Sequence, residues 1–217
     1  EMTKQLLSKG EFVFATCRLP EEALELNRLA ADYATSMKIV QLDVINDQSV
    51  SAAVKAIAGQ TDHIDVLINN AGVNFRDSFE AFDADQFLLT LNANGVGAMR
   101  VVYEGIDLLK AAPAPIIVNV SSQLGSLTAQ RPGFGSYAYN SSKAVMNMIT
   151  RHLSFDLAAD GFTVISMHPG WVQTDMGGSN AAVTPPDSAA GILNVISKLT
   201  PADNGKFYIY NGEIHPW

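Results

Sequence analysis

The chain has 217 residues, 47% of them hydrophobic, and carries a formal net charge of −8 with a pI near 4.8. This length and apolar content suffice for one globular domain with a substantial core. The acidic balance, without a block of Lys or Arg, argues against nucleic acid as a partner, and no apolar run approaches the length of about 20 residues that a membrane span needs.

Short runs rich in Val and Ile alternate along the chain with longer amphipathic stretches. The opening segment EMTKQLLSKG has helical patterning, and the strand-like runs that follow are FVFATC, KIVQL, HIDVLI, PIIVNVSS, FTVISM and KFYIY. Alternation of strand and helix predicts a parallel sheet covered by helices on both faces. We therefore predict a doubly wound, Rossmann-like α/β fold in a single domain spanning residues 1–217.

Residues typical of helix and strand boundaries support these elements. Thr184 and the prolines of TPPDSAAGIL mark a helix start, and Gly161 separates a helical run from the strand FTVISM. In such folds ligands bind at the carboxyl ends of the strands, so functional residues are expected there. The residues that follow strands are Cys17 and Arg18, Asp43, Asn69 to Gly72, Ser121 and Ser122, and His168 to Gly170.

Cysteine and histidine usage indicates a cytoplasmic protein without a metal site. Cys17 is the single cysteine and cannot form an internal disulfide, and the four histidines lack zinc-type spacing. The N-terminal segment also lacks the pattern of a signal peptide. We expect His168 to be a loop residue with no metal or base role.

The stretch SYAYNSSKAV, residues 136 to 145, contains a candidate acid/base pair. Tyr139 and Lys143 are four residues apart and share a helix face, whereas Tyr137 and Lys143 do not. A free phenol has a pKa of about 10, and a nearby cation is the direct means of lowering it. We therefore expect Tyr139, with its pKa depressed by Lys143, to move protons, and Tyr137 to line the pocket or pack.

Ser122 ends the strand PIIVNVSS, where its hydroxyl can reach the same cleft and donate to a developing oxyanion. Ser121 points to the other side of an extended strand end and is expected to satisfy backbone groups.

Four motifs together resemble one family, the short-chain dehydrogenase/reductases. They are NNAG at 69–72, NVSS at 119–122, YNSSK at 139–143 and HPGWVQTDM at 168–176, in the order of that family's signatures. Within the family, the chain most resembles the small carbonyl reductase-like members, whose chains end in a pattern like GKFYIYNGEIHPW. The resemblance implies hydride transfer between a nicotinamide cofactor and a carbonyl or alcohol carbon of a small-molecule substrate.

The resemblance also implies roles for individual residues. Tyr139 is the general acid, Ser122 holds the substrate oxygen, and Lys143 depresses the tyrosine pKa and binds the nicotinamide ribose. The family's catalytic asparagine lies in an N-x-x-G pattern, which occurs here at Asn92 and at Asn94; spacing from Phe87 favours Asn94. The loop from 123 to 135 is expected to cover the substrate.

The cofactor side favours NADP(H) over NAD(H). An acid after the strand FVFATC would bind the adenosine ribose of NAD, but Cys17 stands there with Arg18 beside it, so a 2′-phosphate meets a cation. Gly72 lets backbone approach a ligand closely. The residues implied in cofactor binding are Arg18, Asp43, Asn70, Ala71, Gly72, Tyr139, Lys143, Pro169, Gly170, Val172 and Thr174.

A glycine-rich turn after a first strand, the family's strongest mark, does not occur before residue 10. The segment GFGSYA at 133–138 matches such a pattern loosely but lies far downstream. We expect a gap inside the sheet rather than a trimmed edge, and an upstream segment in the intact protein. The alternative is a cofactor-deficient Rossmann-like binding or scaffold protein.

The resemblance further suggests a homodimer or homotetramer paired through the long helices.

Overall fold

The strands form a parallel sheet in two parts. The computed structural model describes residues 1–130 and 136–217. Two strands pair with each other, and the remaining four form a second group in chain order, with every pair parallel. The strands are β1 (Val13–Cys17), β2 (Met37–Gln41), β3 (Val66–Asn69), β4 (Ile116–Val120), β5 (Thr163–His168) and β6 (Phe207–Ile209).

Polar side chains cap the first turn of four of the helices. Asn46, Asp83, Ser136 and Thr184 each accept a hydrogen bond from a backbone N–H of the first turn that follows, which confirms the helix start expected at Thr184. Among the described residues, no helix combines the length and apolar character needed to cross a membrane. The helices are α1 (Met2–Ser8), α2 (Leu24–Asp32), α3 (Asp47–Ala58), α4 (Ala84–Leu91), α5 (Gly97–Glu104), α6 (Ile106–Lys110), α7 (Tyr137–Asp156) and α8 (Pro185–Ile196).

Apolar clusters cover both faces of the four-stranded group. Ile117 and Val118 are neighbours on β4, are fully buried, and point to opposite faces, as successive strand residues must. One cluster joins the strands to α5, α6 and α7 and contains Val102, Leu109, Ile117, Leu153, Phe162 and Val164. The other joins them to α8 and contains Val118, Ile165, Met167, Ile192 and Val195. Helices on both faces confirm the predicted doubly wound fold.

The sheet is interrupted between its two parts. In the described residues, β1 pairs only with β2, and β3 pairs only with β4. Val66 on β3 is 37% exposed, whereas Ile117 on β4, which pairs with the next β3 residue, Leu67, is fully buried. The expected gap therefore lies inside the sheet, and α1 packs against both sides of it, through Leu7 onto β1 and β2 and through Met2 onto the β4, β5 and α8 cluster.

Candidate active site

The site residues predicted from sequence lie at one edge of the sheet. Arg18 follows β1, Asp43 follows β2, the turn 70–72 follows β3, Ser122 follows β4 and the turn 169–170 follows β5. The strands are parallel within the two-stranded part and within the four-stranded part, so the carboxyl ends in each part lie at one edge. The sheet topology alone thus collects residues that are far apart in the sequence.

Helix α7 brings Tyr139 and Lys143 together. Ser136 caps this helix by accepting a hydrogen bond from the Tyr139 N–H at 3.3 Å. The Nζ atom of Lys143 lies 5.6 Å from the centroid of the Tyr139 ring. Tyr137, by contrast, is 55% exposed. The helical spacing argument therefore selected the tyrosine that faces the lysine.

The two serines after β4 make different contacts. Ser122 hydrogen bonds with the Tyr139 side chain and accepts a hydrogen bond from the Leu124 N–H at 3.2 Å. The Ser121 hydroxyl points the other way and donates to the Asn147 Oδ1 at 2.6 Å and the Lys143 carbonyl at 3.3 Å. The expectation that Ser121 bonds a backbone group is confirmed, and Ser122 is the serine that stands beside the phenol.

The pKa of Tyr139 shifts in the direction opposite to the one expected from sequence. Burial of the phenol raises this pKa, and the smaller effect of the hydrogen bond from Ser122 lowers it. The predicted depression of this pKa by Lys143 is therefore wrong for the structure, where the ammonium donates to the Val120 carbonyl at 2.8 Å. The phenol consequently holds its proton at neutral pH.

Lys143 is buried and closely surrounded. It is 4% exposed, and burial lowers its pKa to about 8. A Cβ added to Gly72 would lie 3.7 Å from the Lys143 Nζ and 3.1 Å from the Asn94 Oδ1. The turn after β3 thus approaches the lysine closely.

Asn94 lies in a π-helical turn, Asn92–Val96, between α4 and α5. Its side chain is fully buried, accepts from the Val73 N–H at 2.7 Å, and donates to the Val73 carbonyl and the Ser142 Oγ at 2.8 Å. Asn92 instead accepts from the Arg100 Nη1 at 2.8 Å. Asn94 therefore faces the site, where its amide ties the turn after β3 to α7; π-helical turns are frequent at functional sites.

The end of β1 carries a cation and a neutral thiol, Arg18 and Cys17. The Arg18 side chain is exposed and forms no ion pair with a described residue. Burial and the charge of Glu21 raise the pKa of the Cys17 thiol. Asp43 closes its own turn, because its Oδ1 accepts from the Ile45 N–H at 3.2 Å.

The segment after β5 is held by a left-handed glycine. Gly170 has φ +86°, and a Cβ there would lie 3.0 Å from the Tyr210 ring and from the Val183 side chain. Val172 forms a bridge with Val183, and Thr174 accepts from the Gly177 N–H at 3.2 Å. The segment is thereby fixed beside the end of β5.

His168 is not a loop residue, because it ends β5 and is 7% exposed. Burial and the neighbouring His215 lower its pKa to about 4, so the ring is neutral at neutral pH. Within residues 1–130 and 136–217, no group of three or more potential metal ligands forms a site.

Sequence reasoning missed a buried polar cluster behind the site. Its hydrogen-bonded members link β4 and β5 to α7 and are Asn119, Ser121, Asn147, Thr150 and Ser166. Asn147 follows Lys143 by one helical turn, which is the signal that could have revealed it. Of the loop predicted to cover the substrate, residues 131–135 lie outside the described residues, as does the first half of the GFGSYA segment, residues 133–135.

Comparison with known proteins places the chain beside one family. A family model described as short chain dehydrogenase matches residues 1–183. The C-signal protein of Myxococcus xanthus is 42% identical over 158 residues, which cover 72% of this chain and 95% of that protein. The 1-hydroxy-2-glutathionyl-2-methyl-3-butene dehydrogenase of Rhodococcus sp. (strain AD45) is 31% identical over 222 residues, covering 100% of this chain and 93% of the relative.

Solved structures show the same fold. The carbonyl reductase Sniffer of D. melanogaster has a TM-score of 0.90 and 35% identity, covering 95% of this chain and 88% of that one. The NADPH-bound carbonyl reductase from chicken fatty liver has a TM-score of 0.95 and 31% identity, covering 99% of this chain and 92% of that one.

The buried Lys143 predicts a pH dependence of stability. Between pH 8 and about 10.4 an unfolded chain keeps the Lys143 proton that the folded chain releases, so the free energy of unfolding rises with pH. Relative to Lys143→Met, the wild type should gain about 3 kcal/mol across this window, measured by urea unfolding. Lys38→Met, at an exposed strand position, is the matched control. If the difference in unfolding free energy between the wild type and Lys143→Met does not change with pH, the burial argument is wrong.

Proposed function

Because the chain belongs to the short chain dehydrogenase family and is similar to its small carbonyl reductase-like members, we propose that it reduces an aldehyde or ketone to an alcohol, or catalyses the reverse reaction, with NADP(H). The observation that carries this proposal is the contact of Ser122, Tyr139 and Lys143 at one edge of the sheet. A phenol, a hydroxyl and an ammonium in contact suit the transfer of a proton to a carbonyl oxygen.

The residues of this chain fit the nicotinamide half of the cofactor. Gly72 brings the turn after β3 close to the Lys143 Nζ, and the glycine turn at 170 fixes the segment that carries Val172 and Thr174. For the adenosine half, Arg18 suits a 2′-phosphate and Asp43 lies beside the adenine in our proposal. When bound, NADPH supplies the hydride; NADPH or NADP is named in related structures.

The proposed proton chemistry follows from the three contacts. Ser122 donates a hydrogen bond to the substrate oxygen and stabilises the charge that develops there. As the carbonyl carbon accepts the hydride, the π electrons move to the oxygen, which takes the proton of the Tyr139 hydroxyl. The Nζ atom of Lys143 lies 5.6 Å from the centroid of the ring that then carries the phenolate. Because the pKa of Tyr139 is raised, the phenol is protonated at neutral pH, which supports the reductive direction.

We further propose that the chain pairs with a second copy of itself through α5 and α7. Tyr103 and Phe155 are 72% and 62% exposed. The π-helical turn that precedes α5 adjoins α7, since a Cβ on Gly95 would lie 2.7 Å from the Val145 side chain. A two-fold axis would bring the same apolar surface of each copy together.

Tyr139→Phe should lower kcat for NADPH-dependent carbonyl reduction by about 100-fold or more, because the proton donor is removed. Steady-state NADPH oxidation with a panel of aldehydes and ketones measures this. The melting temperature should change little, and Tyr137→Phe, at the exposed tyrosine, should keep its turnover. Retained activity in the Tyr139→Phe variant would refute the assignment of the acid.

Arg18→Gln should weaken NADPH binding by about tenfold or more and leave NADH binding nearly unchanged, because one charge-assisted contact to the 2′-phosphate is lost. Dissociation constants and NADPH-induced changes in melting temperature measure this, with Arg28→Gln on α2 as the control. If NADPH does not raise the melting temperature of the wild type, the cofactor-deficient binding protein becomes the better account.

Tyr103→Lys should shift the protein from dimer to monomer in sedimentation velocity, because a charge would enter the apolar contact. Leu24→Lys replaces a comparably exposed apolar residue on α2, 67% exposed, and should leave the sedimentation coefficient unchanged. A wild type that sediments as a monomer would overturn the proposed pairing.

A further inference from the structure

We propose that Asn147 is a positioning residue, whose side-chain amide holds the turn after β4 against α7 and so sets the place of Ser122 relative to Tyr139. This inference rests on the proposed function, because it concerns the same three groups. The hydrogen bonds of the buried Asn147 amide support this role, and hydrogen exchange, which needs no turnover, tests it.

The Asn147 amide joins three elements to α7. The residue is 5% exposed. Its Oδ1 accepts from the Ser121 hydroxyl at the end of β4, at 2.6 Å, and from the Ser166 hydroxyl on β5, at 3.1 Å. Its Nδ2 donates to the Gly125 carbonyl at 3.1 Å. One side chain thus binds two strands and the turn that follows Ser122.

The turn bound by Asn147 lies directly on the backbone of Lys143. A Cβ added to Gly125 would lie 2.5 Å from the Lys143 carbonyl carbon and 2.7 Å from its oxygen. The close approach requires glycine, since real Cβ atoms do not come so near to other atoms. Any displacement of this turn therefore changes its contact with α7.

Displacement of Gly125 would also displace Ser122. The Gly125 N–H donates to the Ser122 carbonyl at 2.9 Å, and the Leu124 N–H donates to the Ser122 Oγ at 3.2 Å. These bonds make residues 122 to 125 one compact turn. The Asn147 amide donates a hydrogen bond to this turn at Gly125. The other end of the turn carries the Ser122 hydroxyl that bonds to Tyr139.

A second hydrogen-bonded link, between residues 124–130 and α7, is weaker. Gln130 donates to the Leu124 carbonyl at 2.6 Å and accepts from the Asn140 Nδ2 at 3.3 Å. That second bond is exposed, whereas the bond from Asn147 to Gly125 is buried. Loss of a buried partner leaves a polar group without compensation, so the Asn147 bond has the larger effect on the turn.

Only an amide can make the three hydrogen bonds found at this position. Two hydroxyls donate to Asn147, and one carbonyl accepts from it, so the side chain must accept and donate at once. An aspartate of the same shape could accept from both serines but could not donate to the Gly125 carbonyl. It would also place its charge next to that carbonyl oxygen.

Thr150 offers a matched control in the same polar cluster. Its hydroxyl accepts from Asn119 and Ser166 and donates to the Met146 carbonyl, so it touches β4 and β5 but not the turn. Thr150→Val should cost stability without moving residues 122 to 125. A difference between the two positions therefore separates positioning of the turn from general stabilisation of the core.

The test compares Asn147→Asp and Thr150→Val in the cofactor-free protein and in turnover. Backbone hydrogen exchange within residues 122–130 should become about tenfold faster in Asn147→Asp and stay unchanged in Thr150→Val. The kcat for carbonyl reduction should fall about 100-fold in Asn147→Asp, with KM for NADPH within about twofold, because the loss is one of alignment. Thr150→Val should keep its kcat.

Equal effects of the two substitutions, or unchanged exchange in Asn147→Asp, would overturn the inference. If Asn147→Asp does not fold, Gly125→Ala decides by the same measurements, because its Cβ pushes the turn off Lys143 from the other side. If the wild type shows no turnover, the proposed function fails, and the exchange data alone decide whether Asn147 holds the turn.

Discussion

Helix α7 crosses the carboxyl end of β4 with almost no space between them, and the arrangement of the site depends on this crossing. Gly125 lies on the Lys143 backbone, Ser121 donates to the Lys143 carbonyl, and the Lys143 ammonium donates to Val120. The lysine is thus bound to the end of β4 through its side chain and to the residues after β4 through its main chain. Since Tyr139 lies one turn earlier on the same helix, its distance from Ser122 is set by the same contacts.

Patterns that repeat along the chain were sufficient to predict the fold. Continuous apolar runs such as PIIVNVSS predicted buried parallel strands, and the interruption expected in the sheet lies between β1 and β3. Helical spacing also separated Tyr139 from Tyr137, and the extended strand end separated Ser122 from Ser121. These inferences succeeded because each depends on local geometry, which the sequence encodes directly.

Properties that depend on tertiary surroundings could not be predicted. The spacing of Tyr139 and Lys143 indicates that they meet, but not how deeply the phenol is buried, and burial decides the direction of its pKa shift. His168 follows a strand-like run whose end could not be located to the residue. Asn147 has no motif of its own, because its partners Ser121, Gly125 and Ser166 come from three separate segments.

In our proposed function, the residues for coenzyme choice and those for proton transfer follow strands of different groups. Arg18 and Asp43 follow strands of the two-stranded part, whereas Ser122 and the residues on α7 belong with the four-stranded part. No backbone ladder among the described strands connects the two parts, so they meet through side-chain packing. A substitution at Arg18 therefore leaves unchanged the strand register beside Ser122, because that register is set within the four-stranded group.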